Sequence, residues 1–208
     1  MASVCSRQGW GLDEGKFLTG NEVKMLKRVG QHISQSGKKT AVRDDLIINL
    51  ALATGLRVQE LTDLTCGDIL IADERASLVV RNGKGGKRRV VRFNGALKEH
   101  IKAYLQWKSA HNEGINPEDL LLGSRRREHL SKRTVQRAFE RCSRWAGITG
   151  HCFHHLRHTY ASHLYKASNY NLRLVQKQLG HSSIRTTQIY ADVFDEELAK
   201  ALERLYTG

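Results

Sequence analysis

Between Asp68 and Phe93 the chain changes its rhythm, and that change limits the folds open to it. On both sides apolar residues recur at helical spacing. Inside the block they form three short β-branched runs: Asp68-Ile69-Leu70-Ile71, Ser77-Leu78-Val79-Val80-Arg81 and Arg89-Val90-Val91-Arg92-Phe93. The last two flank Asn82-Gly83-Lys84-Gly85-Gly86, a glycine-rich hairpin tip. Turn-bounded runs of this length predict strands, and a tip rich in glycine predicts antiparallel pairing. A mainly helical α+β chain with one small three-stranded antiparallel sheet is the expected fold class.

The helical segments are readable from caps and spacing. Thr19 followed by Glu22 is a capped start, and Leu46, Ile47, Leu50 and Ala51 mark a core-facing helix that Gly55 ends. A further helix begins near Arg57 with Val58 and Leu61 inward. After the sheet, Leu97, Ile101, Tyr104 and Leu105 resume the pattern. Ser131 caps a helix through Val135, Phe139 and Cys142 to a stop at Gly147. Leu156, Tyr160 and Leu164 mark the next, and Asn171 caps one carrying Leu172, Val175 and Leu179 before Gly180. A last helix holds Phe194, Leu198, Ala201, Leu202 and Leu205 on one face. Residues 1–16 show no periodicity and read as a flexible lead-in. With 208 residues, no internal repeat and only one proline (Pro117), one sizeable core is expected over residues 17–208.

Charge narrows the partner class. Thirty-four Lys and Arg stand against 21 Asp and Glu, a formal net charge of +13. Such a surplus favours polyanions, with nucleic acid ahead of anionic membrane, because no long basic amphipathic tail accompanies it. Cys5, Cys66, Cys142 and Cys152 form no CxxC pair and read as reduced thiols. There is no apolar run near the roughly 20 residues of a membrane span, and no signal-peptide core at the N-terminus. A cytoplasmic protein, associated with the nucleoid when bound to DNA, is expected.

Cleaving a phosphodiester without metal needs a planar cation on the non-bridging oxygens, a nucleophile, and a proton for the leaving oxygen. Arg57 and Arg157 can supply the guanidinium forks, Tyr190 the nucleophile, and Lys84 the proton. His154 and His181 can move protons or bond the phosphate. Each has a plainer reading: Arg57 as half of a surface pair with Glu60, Lys84 as a solvated hairpin charge, Tyr190 as a packed aromatic. His154 and His158 stand one helical turn apart, as metal ligands can, but no Glu follows the first His and no third ligand stands out.

Four segments in order then carry a family resemblance. These are Ala53-Thr54-Gly55-Leu56-Arg57-Val58-Gln59-Glu60-Leu61, Gly83-Lys84-Gly85-Gly86-Lys87-Arg88-Arg89, His154-His155-Leu156-Arg157-His158-Thr159-Tyr160-Ala161, and Leu179-Gly180-His181 through Tyr190. Together they resemble the arginine, hairpin-lysine, H-x-x-R and histidine–tyrosine boxes of the tyrosine recombinases, or phage integrases. The resemblance implies that Tyr190 attacks a DNA phosphate to form a 3′-phosphotyrosyl link, releasing a 5′-hydroxyl. It implies that Arg57 and Arg157 hold the non-bridging oxygens and that Lys84 protonates the 5′-oxygen. His154 would assist proton transfer, His181 would bond the phosphate, and Glu60 would orient the site. No cofactor, metal or ATP is implied.

The partner implied is double-stranded DNA, with a homotetramer on paired sites joined by exchange of the C-terminal helix, and no membrane. Lys87, Arg88, Arg89 and Arg92 near the hairpin, with Arg125, Arg126, Arg127, Lys132, Arg133 and Arg137 around the Ser131 helix, are the expected DNA-gripping cations. Only about 16 residues precede the first catalytic helix, so the family's usual helical core-binding domain is not expected in this stretch, which reads either as a compact single-domain recombinase or as a fragment of a longer chain. The rivals are a DNA-binding regulator on the same fold and a relaxing enzyme resembling type IB topoisomerases.

Overall fold

The structure is a computed structural model, and it describes residues 14–72, 75–83, 85–123 and 128–191. The chain runs through a short 3-10 turn at Glu14–Lys16, then α1 (Gly20–Ser34), α2 (Lys39–Thr54) and α3 (Val58–Thr62). A second 3-10 turn leads into β1 (Ile69–Leu70), β2 (Ser77–Val80) and β3 (Arg89–Arg92). There follow α4 (Gly95–Ala110), α5 (Lys132–Trp145), α6 (Phe153–Ala167), α7 (Leu172–Leu179) and α8 (Arg185–Gln188). The expected class holds: helices dominate, and the three strands pair antiparallel in the order β1-β2-β3. Val79 lies opposite Val90 and Leu78 opposite Val91.

α2 is the centre of the molecule. Leu46, Ile47, Ile48, Leu50 and Ala51 are all essentially inaccessible, and the helix packs against α1, α4, α5 and α6. A helix apolar around its circumference is stable only where other elements cover every face. Its end is set by Gly55, whose φ of 61° is the left-handed conformation that closes a helix. A side chain there would also run into Leu179, so Gly55 doubles as the point where α7 approaches.

The anticipated caps form. The Thr19 hydroxyl accepts from the Glu22 N–H while Glu22 reaches back to the Thr19 N–H; Ser131 caps α5 and Asn171 caps α7. Each cap of this kind contributes about 1 kcal/mol. Two features differ from the sequence reading. Glu14–Lys16, the end of the expected lead-in, forms a turn against α6; its first 13 residues lie outside the described residues. The stretch between His181 and Tyr190, to which the sequence assigned no element, also coils into a short helix, α8. The expected C-terminal helix with Phe194, Leu198, Ala201, Leu202 and Leu205 lies outside the described residues too.

Most of the core is one cluster spanning α1 to α6 and the sheet. A second, smaller cluster joins Tyr160 and Ala161 of α6, Val175 and Leu179 of α7, and Tyr190. That satellite is what carries the C-terminal part of the described chain against α6.

Candidate active site

Four side chains meet between α3, β3, α6 and α7, and a carboxylate is at their centre. Glu60 sits in the first turn of α3 with its side chain 3% exposed. It accepts from the Arg57 N–H at 2.9 Å and from Arg57 Nη1 at 2.9 Å. Arg89 reaches from β3 and donates a fork, Nη1 to Oε1 and Nη2 to Oε2, each at 2.8 Å. Arg157 Nη1 lies 4.0 Å from Glu60 Oε2. Burial alone would raise the Glu60 carboxyl, but the Arg89 fork, the Arg57 N–H and both charges outweigh it and hold the group down at about 2. The carboxylate is therefore fixed in its charged form, and three guanidinium groups around one carboxylate leave the site strongly positive.

Arg157 is positioned by the ends of two helices. It donates to the Gly55 carbonyl at the close of α2 and, through Nη2, to the Leu179 carbonyl of α7 at 2.9 Å. Carbonyls at helix C-termini lack intrahelical partners and carry the negative end of the helix dipole, so a buried guanidinium is matched to them. Burial, then the repulsion of Arg57, lowers Arg157 to about 10, with Glu60 opposing; at neutral pH it stays a cation. Arg57 is the most open of the three, at 29% exposed against 12% for Arg89 and 5% for Arg157.

His181 follows the left-handed turn at Gly180 (φ 65°). Its Nε2 is 3.0 Å from Arg157 Nη2, and its Nδ1 is 3.0 Å from the Thr187 hydroxyl. Arginine can only donate, so Nε2 accepts and Nδ1 carries the proton, an assignment made from the bonding pattern. Thr187 is fully buried in α8, and so the histidine is tied to the element that leads to Tyr190.

Tyr190 is 1% exposed. Its hydroxyl lies 3.1 Å from Nδ1 of His158, the residue after Arg157. Burial pushes the phenol up to about 12, against the pull of Arg157 and Arg57. His154 is on the solvent side, its ring edge-to-face with His158 at 4.7 Å. Partial desolvation, then Arg157 and Arg57, hold His154 below the usual histidine value.

The expected site residues thus fall into three groups. Arg57, Glu60, Arg157 and His181 share one network, with Tyr190 and His154 beside it. Lys84 lies outside the described residues, as do Arg125, Arg126 and Arg127. Around it the hairpin tip is closed by the Gly83 N–H to the Lys87 carbonyl at 3.0 Å. Lys87 and Arg88 are exposed there, as are Lys132, Arg133 and Arg137 on α5.

Arg89 departs from its expected place. It does not face outward with its basic neighbours but turns in, onto Glu60, and under Gly180. A Cβ at Gly180 would stand 2.6 Å from Arg89 Cδ. The strand alternation carried the signal: Arg89 shares the inward face with the buried Val91, while Val90 and Arg92 face out. Gln178 escaped the sequence reading altogether. Its amide bonds both backbone groups of Arg92, the N–H at 3.2 Å and the carbonyl at 3.1 Å, and so fastens α7 to β3. Thr187 was not singled out for the site either, and His158 was weighed only as a metal ligand one helical turn from His154.

Among the described residues no three His, Cys, Asp or Glu side chains converge as metal ligands, and no helix is long and apolar enough to cross a membrane.

Comparison with known proteins places this geometry. The model of the phage integrase family matches residues 16–197. A tyrosine recombinase XerA of Thermococcus kodakarensis is 40% identical over 189 residues, which are 91% of this chain and 62% of the relative. A tyrosine recombinase XerC of Caldanaerobacter subterraneus is 37% identical over 164 residues, 78% of this chain and 44% of the relative. Among solved structures, XerH bound to its palindromic difH substrate in a post-cleavage complex superposes with a TM-score of 0.76 at 26% identity. That match covers 90% of this chain and 52% of the other. A lambda integrase tetramer bound to a Holliday junction gives 0.58 at 26% identity, over 80% of this chain and 47% of the other. The chain spans about three fifths of the length of its XerA relatives, 62% of the Thermococcus kodakarensis protein.

Proposed function

This chain belongs to the phage integrase family of tyrosine recombinases, and we propose that it cleaves and rejoins DNA strands at specific sites through a 3′-phosphotyrosyl intermediate. The observation that carries the reading is the buried Tyr190 hydroxyl beside three arginines gathered on Glu60.

In the proposed reaction the Tyr190 Oη forms a bond to the scissile phosphorus and the bond from phosphorus to the 5′-oxygen breaks. The phenol loses its proton and the 5′-oxygen gains one, from Lys84. Negative charge grows on the non-bridging oxygens in the transition state, where preorganised guanidinium groups act most strongly. Arg57, the most open of the three, meets the phosphate first. Arg157 supports it from the helix ends, His181 bonds the phosphate after exchanging tautomer, with Nε2–H donating and Nδ1 accepting from the Thr187 hydroxyl, and His154 assists proton movement at the mouth of the site. Glu60 takes no proton, since its carboxyl is held at about 2; it keeps the arginines in register. The phosphotyrosyl link conserves the energy of the broken bond, so attack by a 5′-hydroxyl of a partner strand reverses the chemistry without ATP.

The partner is double-stranded DNA, gripped by Lys87, Arg88, Lys132, Arg133 and Arg137, together with Arg125, Arg126 and Arg127. Binding DNA would hold the protein at the nucleoid. A tetramer on paired sites, joined through the apolar stripe of Phe194, Leu198, Leu202 and Leu205, is the assembly that fits alternating cleavage.

The test is a nicked suicide DNA, in which the released 5′ fragment diffuses away and cleavage is trapped. The wild-type protein is expected to give a covalent protein–DNA adduct and Tyr190→Phe none. An adduct that persists in Tyr190→Phe refutes the nucleophile. Binding with no adduct in the wild type would leave a regulator, and relaxation without strand exchange a topoisomerase-like enzyme.

A further inference from the structure

A tyrosine that must attack in one direction needs something to aim its hydroxyl, and the seat of Tyr190 is a histidine outside the set above. His158 lies on α6 one turn after His154 and directly after Arg157. Its Nδ1 is the described hydrogen-bond partner of the Tyr190 hydroxyl, at 3.1 Å, and the two rings are inclined at 50° with centroids 5.9 Å apart. The imidazole is itself braced, edge-to-face against His154 on one side and tilted over His155 on another.

We propose that His158 is a positioning residue for strand cleavage, its Nδ1 accepting a hydrogen bond from the Tyr190 hydroxyl so that the oxygen lone pairs face the arginine-bound phosphate. This rests on the reading of Tyr190 as the nucleophile.

The surroundings favour an acceptor that stays neutral. The groups that face His158 are His154, His155 and Arg157 from α6, Lys16 from the first 3-10 turn, and Tyr190. Burial first, then the cationic forms of His154 and His155, then Arg157 and Lys16, hold its ring down at about 3. A neutral imidazole has one donor and one acceptor nitrogen. With the phenol O–H donating to Nδ1, the lone pairs of Oη point away from α6. A phenol left without this partner keeps its burial among Tyr160, Val175 and Leu179 but loses its orientation about the C–O bond.

The experiment is single-turnover cleavage of the nicked suicide DNA at saturating protein, with DNA affinity and melting temperature measured for each variant. In His158→Asn the amide oxygen can take the place of Nδ1; in His158→Gln the amide reaches the place of Nε2; His158→Leu offers nothing. Asn is expected to cleave within about threefold of wild type, and Gln and Leu to fall by roughly 10- to 100-fold, the loss typical of a misaimed reacting group. DNA affinity should not change. The ratio of wild-type to Asn rates should stay constant between about pH 6 and 9, because no histidine titration is involved.

Asn as slow as Leu, or a ratio that changes with pH, overturns the seating role in favour of a proton acceptor. Leu equal to wild type overturns it in favour of mere packing. Failure of the wild type to form an adduct strikes the nucleophile reading itself, and so is distinguishable from either. Should Leu melt too early to assay, the Asn and Gln pair decides the question alone.

Discussion

Replacing Glu60 by glutamine should remove one charge and leave three cations facing one another. The magnitude follows from the carboxyl's own environment. Folding moves it from its ordinary 4.5 to about 2, and at about 1.4 kcal/mol per tenfold change this is roughly 3 kcal/mol. The side chain is 3% exposed, so solvent screening discounts little of it. Removing one partner from a buried ion cluster costs about 3–5 kcal/mol, which agrees. For a chain of this size each kcal/mol moves the melting temperature by about 2–4 °C, so Glu60→Gln should melt roughly 6–12 °C lower at neutral pH.

The pH dependence has a definite sign. A depressed carboxyl stabilises the fold fully above its unfolded value and loses that contribution as pH falls from 4.5 toward about 2. Wild type should therefore lose stability across that window relative to Glu60→Gln, and the two curves should converge in acid. Circular dichroism melts over a pH series measure both effects. Melting temperatures within about 2 °C of each other at neutral pH would show that the arginines are held by solvent and not by Glu60, and would refute the reasoning.

Gly180→Ala should destabilise by about 2 kcal/mol in urea denaturation: about 1 for the left-handed φ, and the rest because its Cβ displaces Arg89 from Glu60. Affinity for DNA should fall steeply with salt, with a log–log slope near −5 if six described cations, Lys87, Arg88, Arg92, Lys132, Arg133 and Arg137, each neutralise a phosphate. Lys132→Ala should flatten that slope by about one, whereas Arg89→Lys, with its charge turned inward, should leave it unchanged in a titration followed by fluorescence anisotropy.

Much of this fold can be read before any coordinate is known, and the reasons are physical. Long helices announce themselves through the period of their buried faces, and α1, α5 and α7 through Thr19, Ser131 and Asn171, whose side chains have no better use than to cap. α8 is different. Four residues, Arg185–Gln188, are too few to show a period, and Ser and Thr in that stretch read as a linker until Thr187 is seen under His181. Arg89 was hidden by its company: grouped with Lys87 and Arg88 by charge it looks like a DNA contact, and only its parity with Val91 sends it inward. That Arg57, Arg157 and His181 would gather with Tyr190 beside them was legible because four such segments in order are jointly improbable by chance. His158 was not, because a histidine among histidines carries no such signal.

The amide of Gln178 has one more consequence. β3 is the last strand of its sheet, and its outward backbone groups are the kind that recruit a strand from another molecule. Gln178 occupies those of Arg92 from 86 residues further along the chain. During synthesis the hairpin is therefore complete long before its guard exists. In the interval between the two, the outward N–H and carbonyl of Arg92 lack this cover, and α7, by docking, supplies it.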